Sequence, residues 1–169
     1  MRVAIEKEKF KYLGVPGNTG ILSAVKLMKP LTLSWKPDYR ITRFSAHKIL
    51  VPHIQSIYGA LMQLDPVLLR DSGMMIFGGC YNFRPIRGTE RKDRPPFSTH
   101  SWGAAIDIDP ERNGLYTKAP KANLSRADFD SIHEIWSRHG FINLGHVIGR
   151  DYMHYEASYE LISSPSKFL

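Results

Sequence analysis

Between Ser98 and Asp107 the chain reads Ser-Thr-His-Ser-Trp-Gly-Ala-Ala-Ile-Asp, and this stretch limits the local fold more than any other. A strand running unbroken through it would put His100 and Asp107 on opposite faces, because side chains alternate along a strand. Gly103 permits a turn between them, so the histidine can lie in a loop and the aspartate on the strand that follows. On that strand, expected over Ala104–Asp109 and half-buried, Ile106 and Ile108 point to a core. Ala105 shares the face of Asp107 and is small enough to leave space above it.

A neutral imidazole and a carboxylate are good zinc ligands, but a catalytic zinc normally takes three protein ligands and keeps one position open. The third is sought in Asp151-Tyr152-Met153-His154-Tyr155-Glu156. Alternation along a strand over Tyr152–Tyr155 puts Met153 and Tyr155 on the buried face, with Tyr152, His154 and Glu156 opposite. Asp151 converges on the same cleft from the loop end.

Around these motifs the chain predicts few long elements. Residues 1–45 are rich in Gly, Pro and basic residues and read as a loop-rich lead-in with one or two short strands, Leu31–Trp35 foremost. Leu50, Ile54, Ile57, Leu61 and Leu64 step by 4, 3, 4 and 3, one face of a helix that starts or kinks near Pro52. Asp65 can cap a short turn after it. Residues 73–84 read as a strand running into a loop, and Arg84 to Pro96 as a mobile, basic surface loop. Ser125 is the expected cap of a helix whose face is Phe129, Ile132, Trp136 and His139, with Gly140 as its stop. Phe141–Leu144 is a further candidate strand. Helices and short strands without a βαβ rhythm indicate an α+β fold, its small sheet mostly antiparallel and flanked by helices.

The length, 169 residues, suits one domain, with 46–157 as its core and 158–169 as a tail. With 43% hydrophobic and 23% charged residues, wholesale disorder is excluded. The single cysteine, Cys80, excludes a disulfide framework and a cysteine zinc finger; it is expected to be an inert buried thiol. Lys plus Arg is 23 against 16 Asp plus Glu, a net charge of +7 that favours acidic partners such as nucleic acid, anionic lipid or an anionic cell wall. No basic-aromatic motif or helix-turn-helix supports nucleic acid, and no apolar run is long enough for membrane insertion. The charged N-terminus lacks the apolar stretch of a signal peptide, which implies synthesis in the cytoplasm.

The pattern S-x-H-x-x-G-x-A-x-D, followed from residue 151 by D-x-M-H-Y-E, resembles the zinc peptidases that cut peptidoglycan stem peptides. These include D-alanyl-D-alanine carboxypeptidases, vancomycin-resistance dipeptidases and phage L-alanyl-D-glutamate endolysins. The likeness extends over about residues 46–157, with Gly78–Gly88 similar to the family's segment upstream of the zinc motif. It implies a hedgehog/D,D-peptidase-like fold with Zn2+ held by His100, Asp107 and His154. Asp151 would be the general base, Arg84 or Arg87 would polarise the scissile carbonyl or hold a substrate carboxylate, and Ser98 would touch substrate. Glu156 is a candidate partner for an imidazole N–H of His154. Where the family commonly has a Trp-Gly-Gly-type stretch, this chain has Leu144-Gly145-His146-Val147-Ile148-Gly149, which alters the expected substrate wall. His47, His53, His133, His139 and His146 read as surface or packing residues, with His146 nearest the expected cleft. Trp102 reads as half core, half cleft wall. The implied protein is a monomer that acts on bacterial peptidoglycan after release from the cell.

Overall fold

The structure, a computed structural model, describes residues 1–87 and 96–169. The basic loop expected from Arg84 to Pro96 lies mostly outside the described residues; at its base Pro85 and Phe97 form an isolated antiparallel bridge.

The lead-in is not loop-rich. Helix α1 (Glu6–Leu13) opens it, Glu8 accepting the Ile5 N–H at 2.9 Å. A hairpin of two long strands follows, β1 (Leu22–Leu33) and β2 (Lys36–His47), joined by Ser34 and Trp35. The prolines that suggested a loop are accommodated without breaking it. Pro30 falls where the register jumps between Lys26 and Leu31, and Pro37 lies in the edge strand. Both are places where a missing ladder N–H does little harm.

Helix α2 (Val51–Leu61) has Pro52 in its first turn, so the proline starts the helix and does not kink it. Asp65 caps α3 (Pro66–Ser72) by accepting the Val67 and Leu68 N–H groups at 2.8 and 3.1 Å. Strands β3 (Ile76–Gly79) and β4 (Ala105–Ile108) come next, then the short helix α4 (Pro110–Asn113). Helix α5 (Asp130–Arg138) begins later than Ser125 predicts. The Ser125 hydroxyl donates to the Ala122 carbonyl inside a 3-10 turn, and Asp128 pairs with Arg126, so neither caps the helix. Gly140, at φ +82°, does end it. After β5 (Phe141–Asn143), Leu144 starts helix α6 (Leu144–Ile148). Strand β6 (His154–Ala157) and helix α7 (Tyr159–Ser163) complete the chain, and the tail is packed: Leu161 and Ile162 are buried.

The fold is α+β. Its six strands form one sheet in the order β2-β1-β3-β4-β6-β5, antiparallel at every junction except β1–β3. Ile106 and Ile108 of β4, Ile54, Ile57 and Leu61 of α2, and Phe129, Ile132 and Trp136 of α5 share the core, where Trp136 stacks on Tyr155 of β6 at 4.3 Å. Trp102 is wholly core, its indole N–H bonded to the Gly14 carbonyl at 2.7 Å, and forms no cleft wall. Cys80 is buried, and burial pushes its thiol pKa up, as befits an inert group.

Candidate metal centre and cleft

Strand β4 is fully buried on both faces, not half-buried. Its register with β6 sets Ile106 opposite Tyr155 on the core side, and Asp107 opposite His154 with Ala105 opposite Glu156 on the other. His100 arrives from a 3-10 turn over Thr99–Trp102, capped by the Ser98 hydroxyl, which accepts the His100 N–H. Gly103, at φ +64°, closes that turn. A Cβ there would come within 2.9 Å of the His47 backbone nitrogen, so glycine is required both for its conformation and for the close approach.

His100 Nε2, Asp107 Oδ1 and His154 Nδ1 consequently lie 3.1–3.2 Å from one another. Among the described residues these three are the group able to hold a metal ion, and all are buried. The spacing fits zinc, because ligand atoms about 2.0–2.1 Å from a tetrahedral ion are about 3.3 Å apart. The outward nitrogens fit as well. His100 Nδ1 bonds the Cys80 carbonyl at 2.6 Å and His154 Nε2 bonds Glu156 Oε2 at 3.0 Å, so each imidazole donates outward and leaves its other nitrogen facing the metal position, where a metal would replace any proton it carries. Burial opposes charge on Asp107, yet the two histidines more than offset it and hold its pKa well below the carboxylate range. Burial likewise opposes charge on His154, but Asp107 and Glu156 raise it to about 10. The field at this point favours a cation.

Beside the triad a cleft of about 270 Å³ is lined by Ser98, Arg84, Arg87, Asp151 and Glu156 among others. A second hollow of about 240 Å³ lies against Trp35, Gly78–Asn82 and His100. Asp107, Arg84 and Arg87 line both, so the triad stands where the two meet. Asp151 is buried with φ +65°, and its Oδ1 has no hydrogen-bond partner among the described residues. Burial, aided by Asp107, raises its pKa against the pull of His154, His100 and Arg150. A carboxylate held in this way retains free lone pairs and a raised proton affinity, the properties of a general base. Arg84 is half-buried and its pKa is lowered by burial and by Arg87. Arg87 is exposed at the cleft mouth.

Three sequence expectations change here. A turn at Tyr152 and Met153 precedes β6, so Met153 lines the cleft while Tyr152 joins the core. The Leu144–Gly149 stretch folds as α6, and its Leu144 and Ile148 form an apolar cleft wall. His146 points away from the cleft, its ring 4.3 Å from that of His133 and 5.4 Å from that of Tyr152. Lys9, Thr99 and Arg150 also line the cleft and went unnoticed in the sequence. Thr99 occupies an unspecified place in the motif, and one lysine in a charged helix carries no local signal.

Three buried side chains at a spacing suited to a tetrahedral ion lie beside a carboxylate oxygen, Asp151 Oδ1, that has no hydrogen-bond partner among the described residues, an arrangement that metal-assisted hydrolysis can use. Residues 91–157 match the family model described as D-alanyl-D-alanine carboxypeptidase, so the resemblance is supported over the segment that holds His100, Asp107, Asp151 and His154. The match supports a peptidase that acts on peptidoglycan. No curated protein and no solved structure matches the chain.

Proposed function

We propose that this protein is a zinc-dependent endopeptidase that hydrolyses the L-alanyl-D-glutamate bond of peptidoglycan stem peptides, in the manner of a phage endolysin. The observation that carries this reading is the triad's place at the junction of two hollows. An endopeptidase substrate runs past the scissile bond on both sides, whereas a carboxypeptidase needs one side closed around a free carboxylate.

His100, Asp107 and His154 would hold the zinc, which when bound supplies Lewis acidity toward water and a carbonyl oxygen. Asp151 takes a proton from the attacking water and delivers it to the leaving amine as the C–N bond breaks. Arg84, lining both hollows, donates to the carbonyl oxygen as negative charge develops there, a contribution typically on the order of 10²–10³ in rate. Leu144 and Ile148 pack against apolar parts of the stem. The net charge of +7 draws the protein to the anionic wall, which it reaches after release from the cell. No helix among the described residues is long and apolar enough to cross a membrane.

The second reading, a D,D-carboxypeptidase, is favoured by the family's description and by the cations Arg84, Arg87 and Arg150, any of which could clamp a terminal carboxylate. Mass spectrometry of peptides released from purified sacculi separates the two, with a D151A variant and a chelated sample as blanks. New alanine–glutamate termini are expected only from intact, metal-loaded protein. Release of D-alanine alone would establish the carboxypeptidase. No release from any wall type, with zinc bound, would reduce the protein to a zinc-stabilised binding module.

A further inference from the structure

The N-terminal helix reaches the metal centre through one buried side chain. Lys9 of α1 is only 7% exposed, and its ammonium donates to Thr99 Oγ1 at 2.6 Å, across 90 residues of sequence. Thr99 Oγ1 in turn donates to Glu156 Oε2 at 2.7 Å, and the same carboxylate oxygen accepts from His154 Nε2 at 3.0 Å. All four side chains are buried.

The direction of this chain is forced. A lysine ammonium has donors only, so the threonine oxygen must accept from it, and the one hydroxyl proton is left for Glu156. Glu156 Oε2 is thereby held between two donors, and the His154 imidazole keeps its Nε2 proton and presents Nδ1 to the metal position. We propose that Lys9 is a positioning residue of the metal centre: acting through Thr99 and Glu156, it holds the His154 ring in its ligating orientation and tautomer. The inference rests on the metal reading given above.

A lysine that merely pins α1 to the body would have the same bond to Thr99, so the test must read the metal itself. Zinc affinity of the full-length protein is measured by competition with a chromophoric chelator for the wild type and for K9M, K9R, T99V and T99S. The visible spectrum of the cobalt-substituted proteins and the melting temperature of the metal-free proteins are recorded alongside. K9M and T99V are expected to bind zinc about 10–100-fold more weakly, the usual effect of removing an outer partner of a ligating histidine. Their cobalt spectra should shift, K9R and T99S should recover much of the affinity, and the double variant should be little worse than either single one, because both break the same chain. K9M and T99V with wild-type zinc affinity and cobalt spectra, whatever their melting temperatures, would overturn the proposal. T99V keeps it open to refutation if K9M does not fold. A wild-type protein that binds no zinc would refute the metal reading and the inference together, whereas a zinc-binding wild type with unaffected variants refutes the inference alone.

Discussion

At Asp151 the backbone adopts a left-handed conformation that a non-glycine residue enters at a cost of about 1–3 kcal/mol. It stays there because the preceding and following elements are tied together: Asn143 Nδ2 bonds the Tyr152 carbonyl at 2.7 Å, and the Asp151 carbonyl accepts the His154 N–H at 3.1 Å. Replacing Asp151 with asparagine, which also tolerates this conformation, should lower kcat by about 10²–10⁴ while zinc stoichiometry by elemental analysis stays unchanged. Loss of the metal instead would show that Asp151 is a ligand. A second residue-scale prediction concerns His133, whose ring nitrogens face the Leu124 carbonyl and the Tyr155 hydroxyl, each at 2.9 Å. Burial, with His146 beside it, pushes its pKa down to about 4. Because the unfolded histidine titrates near 6.5, the unfolded chain binds more protons between those values, and stability must fall as pH drops from about 6.5 toward 4. Denaturant unfolding across that range should show a slope of up to about 1.4 kcal/mol per pH unit from this group. H133Q should be shallower; an unchanged slope would mean His133 does not titrate on unfolding. The candidate ligands were legible as residues because donor chemistry and strand alternation are local. Met153 was misplaced because the turn at Tyr152 resets the alternation just before His154.

Elements show a similar division. Helix α2 and the Asp65 cap were readable, since apolar spacing and a carboxylate before proline act over one turn of chain. The β1–β2 hairpin was not: its strands are exposed over more than half of their combined length, so they lack the alternation that marks a half-buried strand. Helix α6 illustrates how an element shapes the cleft. Gly145 lies so close to Tyr152 that an added Cβ would come within 2.3 Å of its ring. G145A should therefore destabilise the protein by about 1–3 kcal/mol, read from chemical denaturation, and should disturb activity through the turn that carries Asp151. A neutral outcome would mean that α6 can shift away from the sheet without consequence.

For the molecule as a whole, the three candidate ligands come from two strands and a turn, so a metal held by them would cross-link the sheet. If zinc binds the folded chain alone, free zinc at 1,000 times its dissociation constant should add about 4.1 kcal/mol of stability, and a chelator should remove it. Calorimetric melts with and without chelator measure this; identical melts would deny any coupling of metal to fold. By itself the sequence marked His100, Asp107, His154 and Asp151 as candidates and indicated the strand that carries Asp107 and the α+β class, because donor chemistry and side-chain alternation are read within a few positions of chain. The tertiary structure alone decided that Lys9 reaches Thr99, that Leu144 and Ile148 line the same cleft as Arg84, and that the triad lies between two hollows. Those are contacts between distant segments, and they exist only once burial of the shared core has brought the segments together.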